Sequence, residues 1–75
     1  MELTRSTLTI DVRGRKVTLH GEAYARGWGS PDFVAYLNTL VHWDDGGSIS
    51  AAERAEVLRC ISEEAENRGL NIEFE

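Results

Sequence analysis

Three stretches of this 75-residue sequence predict an α+β fold: a small, mostly antiparallel sheet with one amphipathic helix packed on one face. Ser50 to Arg68 repeats at helical spacing. Two alternating runs, Leu3 to Val12 and Lys16 to about Ala25, flank a two-residue turn at Arg13-Gly14. The segment after Gly69 resumes strand alternation with Leu70, Ile72 and Phe74 on one side and Asn71, Glu73 and Glu75 on the other. The narrow apolar stripe of the helix needs a partner surface, and the rest of the chain reads as the sheet that supplies it.

In the first strand Leu8, Ile10 and Val12 face one way and Thr7, Thr9 and Asp11 the other, as on a half-buried strand. Glycine tolerates the positive φ of a tight hairpin, so Arg13-Gly14 joins this strand to the next. There Val17, Leu19, Gly21 and Ala23 share a face. The small residues Gly21, Ala23 and Ala25 predict a close approach, with a helix lying across the sheet as the natural neighbour. Arg26 to Asp32 reads as a loop by its glycines and proline.

Phe33 to Trp43 carries two readings. Phe33, Tyr36, Leu37, Leu40 and Val41 fit a helical stripe, and Ser30-Pro31-Asp32 suits a helix start. The stretch holds no charge between Asp32 and Asp44, however, and its aromatics and valines suit a strand. A third strand is preferred, with a helix over residues 31–42 as the alternative. Asp44 to Ser48 is a turn. Ser50-Ala51-Ala52-Glu53 then forms a capping box, in which the serine hydroxyl and the Glu53 carboxylate each accept from the other's amide. Arg54, Val57, Leu58, Ile61 and Ala65 make the buried stripe, and Gly69 ends the helix in the left-handed conformation. The predicted order is β-β-β-α-β, in one domain over residues 1–75.

A chain of this length sits near the lower limit for folding on its own core. Its 41% hydrophobic and 28% charged content is ordinary for a globular protein. No apolar run of about 18 residues and no charged-then-apolar leader is present, so neither a membrane span nor a signal peptide is expected. The single cysteine, Cys60, has no internal disulfide partner, which points to a reducing cytoplasm. Charge is uneven. Residues 1–31 hold five cations against three carboxylates (+2), and residues 32–75 three against ten (−7). An overall −5 opposes binding to nucleic acid, although Arg13, Arg15 and Lys16 cluster at the hairpin tip, where they read as solvent-facing charge. The acidic half suits a basic protein partner or simply a solvated helix face.

Catalytic chemistry has little to stand on. His20 and His42 lie in no metal-binding spacing, and there is no second cysteine for a zinc site. Asp44 and Asp45 read as turn formers that bond their own backbone. Cys60 lacks an evident base and reads as a small buried hydrophobe. No catalytic residue, cofactor or metal is predicted.

The run Ile10-Asp11-Val12-Arg13-Gly14-Arg15-Lys16-Val17 is followed by Gly21-Glu22 and an aromatic stretch ending in His42-Trp43-Asp44. Ile49-Ser50 then opens a helix with Glu53-Arg54, and Gly69-Leu70-Asn71-Ile72-Glu73-Phe74 closes the chain. Taken in this order, the chain resembles the immunity protein 74 family of bacterial polymorphic toxin systems. The resemblance spans nearly the whole chain, though Asp45-Gly46 stands where that family often carries a proline after the tryptophan.

The resemblance implies a small, non-catalytic cytoplasmic protein that binds and neutralises a cognate toxin, without cofactor or membrane. On that reading an acidic face covers a basic toxin cleft, and a few aromatic contacts supply most of the affinity. The expected partner contacts are Tyr24, Trp28, Trp43, Asp44 and Asp45, with Glu63 and Glu66 secondary. Trp43 has a second reading as core, since it closes a strand beside a capped helix. The alternative function is a homo-oligomeric structural or adaptor module, which gives a short chain extra stability as a homodimer. An enzyme would instead require a histidine or Cys60 in a cleft.

Overall fold

A computed structural model describes residues 1–24 and 31–75. Its strands are β1 (Glu2–Leu3), β2 (Thr7–Val12), β3 (Arg15–Ala23), β4 (Phe33–Ala35) and β5 (Ile72–Phe74). A 3₁₀ turn, Leu37–Thr39, follows β4, and the helix α1 spans Ala51–Arg68. The strands form one sheet in spatial order β1-β2-β3-β4-β5. Neighbours are antiparallel except β4 and β5, which run parallel. A parallel neighbour needs a long crossover, and α1 lies in it. The α+β class and the β-hairpin therefore stand as predicted, with one more strand than the sequence reading and a mixed sheet.

The first alternating run breaks in two. The Thr4 hydroxyl accepts from the amides of Ser6 and Thr7 at 3.3 and 3.0 Å, which turns the chain so that Leu3 returns opposite Leu8. At the hairpin both central residues have positive φ, Arg13 at 54° and Gly14 at 80°. That is the backbone a two-residue turn needs to match strand twist. Asp11 Oδ1 steadies it by accepting from the Gly14 amide at 2.9 Å.

The third strand is real but short, ending at Ala35 rather than Trp43. Phe33, Val34 and Ala35 are all buried, which accounts for the missing charge. Beyond them the chain is held to the edge of β3. The Tyr36 amide donates to the His20 carbonyl at 2.8 Å, and the His20 amide donates to the Thr39 hydroxyl at 3.0 Å. Those tethers leave room for a single 3₁₀ turn and not for a helix over 31–42.

The core lies between the sheet and α1. Leu8, Ile10 and Val12 of β2, Val17 and Leu19 of β3, and Phe33 and Ala35 of β4 meet Val57 and Ile61 of the helix, with Leu40 and Trp43 completing the cluster. Both arms of the capping box form, and Gly69 adopts φ 67° at the C-terminus. Gly21 is required by a neighbour other than the expected one. A Cβ there would lie 2.6 Å from Phe33 Cε1 and closer still to the Val34 carbonyl oxygen, so β4, not the helix, makes the close approach.

Candidate partner-binding surface

The polar residues of this chain gather at two places, one tied to the fold and one open to solvent. The first is the turn after Trp43. The Trp43 amide donates to the Gly47 carbonyl and the Gly46 amide to the Trp43 carbonyl, both at 2.8 Å, and the Asp44 amide bonds the Lys16 carbonyl at 2.9 Å. The Trp43 ring is carried inward and is only 4% exposed. Over it sits the Arg15 guanidinium, 4.4 Å from the ring centroid, in cation–π geometry.

The same guanidinium reaches both Asp45 oxygens at 3.3 Å and Glu53 Oε2 at 3.4 Å. Asp45 also accepts from the Gly47 amide at 2.8 Å, and this bond, with Arg15, holds its carboxyl below the usual range. Glu53 is held low chiefly by the Ser50 amide, with Arg15 adding to it. The Trp43 indole nitrogen is buried and lacks a partner at hydrogen-bonding distance, yet its N–H lies near enough to help hold Glu53 ionised. Beside these groups is a cleft of about 90 Å³ lined by Val12, Arg13, Arg15, Trp43, Glu53 and Glu56. Arg13 closes one side with a 2.8 Å ion pair to Glu56. The basic hairpin tip is thus joined to the helix start through Arg13 and Arg15, while Arg13, 81% exposed, and Lys16 still face solvent as the sequence reading has it. With each carboxylate already paired, this cluster offers no free base or nucleophile.

The second place is the sheet face turned away from α1. The Thr9 and Thr18 hydroxyls meet across β2 and β3 at 3.0 Å, and Thr18 donates to Asp44 Oδ2 at 3.2 Å. Asp44 therefore borders this open face. Tyr24, just past β3 and in phase with His20 and Glu22, is 43% exposed on the same side.

The seven expected contact residues do not converge. Asp44 and Tyr24 share the open face. Asp45 turns to Arg15, and Trp43 is in the core, the second of its two readings, so its ring is not a surface anchor. Glu63 and Glu66 lie on the exposed side of α1, Glu63 bound to Arg59 at 2.8 Å. Trp28 lies outside the described residues. Two groups that matter to the arrangement, Arg15 and Tyr36, had no sequence signal as site residues. Arg15 is 28 positions from Trp43, and only strand register brings them together.

Among the described residues no group of three histidine, cysteine or acidic side chains is placed to hold a metal. Among the described residues no helix is long and apolar enough to cross a membrane. Residues 1–75 match the family model described as Immunity protein 74. The chain belongs to that family. No curated protein and no solved structure matches it. Membership in the Immunity protein 74 family gives the chain an immunity-protein role in general terms, with a protein toxin as the implied partner.

Proposed function

We propose that this chain neutralises a cognate toxin in the cytoplasm by stoichiometric binding, with no catalytic step of its own. The observation that carries the reading is the match to the immunity family over the whole chain. The charge supports it, since a net −5 favours encounter with a basic toxin domain. Asp44 and Tyr24 on the open face are the expected contacts that remain accessible. Asp45, paired with Arg15, and Glu63 and Glu66, on the exposed side of α1, add to the net negative charge without lying on that face. Binding by such a surface acts through steric cover, and none of its groups has to change protonation or form a bond.

Co-expression tests this directly. Cells making the toxin encoded beside this chain's gene should grow when the chain is present, and the purified pair should elute as a one-to-one complex. Loss of viability at equal expression, with no complex formed, would overturn the proposal.

A further inference from the structure

We propose that the open face of β3–β4–β5 is the docking surface for a lysine- or arginine-bearing segment of the toxin, with Tyr24 and Tyr36 as its floor and Glu22, Glu73 and Glu75 as its charged rim. This rests on the immunity reading above. It goes further by naming the surface and the chemistry it selects.

Strand register builds the patch. Glu22 lies opposite Val34, and Val34 opposite Glu73, so these three side chains form a row on the face away from the helix, in which the two glutamates are exposed and Val34 between them is buried. One row along, the Tyr36 amide bonds the His20 carbonyl and the Leu37 amide bonds the Glu75 carbonyl, which sets His20, Tyr36 and Glu75 side by side. On the other flank the Tyr24 amide bonds the Asp32 carbonyl. Adjacent strands are about 4.8 Å apart, so the two phenol rings and three carboxylates occupy a few neighbouring sites. The Tyr36 hydroxyl reaches Glu22 Oε2 at 3.5 Å. The phenol's pKa is raised, first by burial and then by Glu22, Tyr24 and Glu75, which places these three groups near the Tyr36 hydroxyl.

Ion pairing elsewhere isolates this field. Arg13 is paired with Glu56, Arg15 with Asp45 and Glu53, Arg59 with Glu63 and Arg68 with Glu64. Arg54 turns to the Leu37 carbonyl. Among the described residues no cation forms an ion pair with Glu22, Glu73 or Glu75. These pairs leave Glu22, Glu73 and Glu75 unmatched on the sheet face, with Lys16 on the same face but at the hairpin end of β3. Tyrosines beside unpaired carboxylates suit a guanidinium or ammonium twice over, through the ring faces and through the charge.

The same feature argues against a second copy as the occupant. Face-to-face pairing would bring three glutamates against their own equivalents without a cation between them. Nucleic acid is disfavoured for the same reason.

The test compares three proteins in the co-expression assay and in calorimetry with the purified, inactivated toxin domain. They are the wild type, Glu22→Lys/Glu75→Lys on the open face, and Glu63→Lys/Glu66→Lys on the helix. Thermal melts confirm folding. Both open-face side chains contribute to the fold only through their backbones and one long contact, and Tyr24→Ala at an exposed site serves as an uncharged second variant. The open-face reversal should weaken binding at least about tenfold and flatten its salt dependence, and Tyr24→Ala should weaken it by a similar factor. The helix reversal should bind within about threefold of wild type. If wild type protects and the open-face reversal protects equally, or if only the helix reversal fails, the docking surface is wrong while the immunity reading stands. A wild type that neither protects nor binds removes both. A homodimer formed through this face would instead appear as a concentration-dependent mass that the reversal abolishes, and it too would overturn the proposal.

Discussion

At the hairpin end of the sheet, Arg13 and Arg15 reach across to Glu53, Glu56 and Asp45, and Arg15 lies over a buried tryptophan. At the β5 end, Glu22, Glu73 and Glu75 stand beside two tyrosines with no cation to meet them among the described residues. The two ends share one sheet and similar residue types, and differ in whether charge has been matched. A 75-residue chain has few core residues to spend, so matched charge at the hairpin end is best understood as fastening the helix start to the sheet. Unmatched charge does nothing for folding. Its retention at the other end is what the proposed docking surface would use.

The sharpest way to break this comparison is to remove the centre of the fastened end. Trp43→Ala deletes a side chain that is 4% exposed and leaves the Arg15 guanidinium over a void. The expected loss is about 3–5 kcal/mol, close to the whole stability a core of this size supplies. Denaturant unfolding should show the variant largely unfolded at 25 °C. Tyr24→Ala at the open end should stay within about 0.5 kcal/mol of wild type. Equal losses at the two sites would mean that the ends are not divided between folding and binding.

Acid should act on the fastened end first. Asp45 and Glu53 both have carboxyl pKa values below their ordinary 3.8 and 4.5 in the folded protein. The unfolded chain therefore takes up these protons at higher pH than the folded one. The stability they contribute is complete above the ordinary values and is lost as pH falls through the lowered ones. Thermal melts from pH 7 down to 3 should be flat at first and then fall below about pH 4.5. Glu53→Gln should start less stable and fall less steeply. An identical acid slope in the variant would remove Glu53 from the fastening.

How far the sequence reveals each end follows from how local its determinants are. Ser50 and Glu53 are three residues apart, and Gly69 acts on its own helix, so α1 is legible with both its ends. The hairpin is legible because Arg13-Gly14 joins runs that must alternate. Phe33 to Trp43 is not, because its conformation is decided by His20 and Thr39, which hold Tyr36 and its neighbours to another strand. The break between β1 and β2 escapes for a related reason: the Thr4 hydroxyl turns the chain inside a run whose alternation looks unbroken. The candidate contact residues follow the same rule. Tyr24 and Asp44 stand out as an exposed aromatic and a turn acid. Arg15 and Tyr36 gain their neighbours only from register, and Trp43, which the sequence reads both as a partner contact and as core, lies in the core.

The smallest effect concerns the open end alone. Tyr36 has a phenol pKa above its ordinary 10.0, owing first to burial and then to the negative charge of Glu22, with Tyr24 and Glu75 adding to it. A raised folded-state value means that the folded protein holds this proton more tightly than the unfolded chain. The contribution is present below pH 10 and is lost as pH rises through the folded value. Glu22→Gln removes one of the charges and the hydrogen-bond acceptor but leaves the burial. The Tyr36 titration, followed by the ring carbon chemical shifts, should therefore move towards 10.0 without reaching it. The hairpin end should not respond, because Arg15 and Asp45 lie at the far end of β3. A Tyr36 midpoint unchanged by the substitution would mean that Glu22 and the phenol do not share a field in solution, and the open face would lose the electrostatic focus that a basic partner needs.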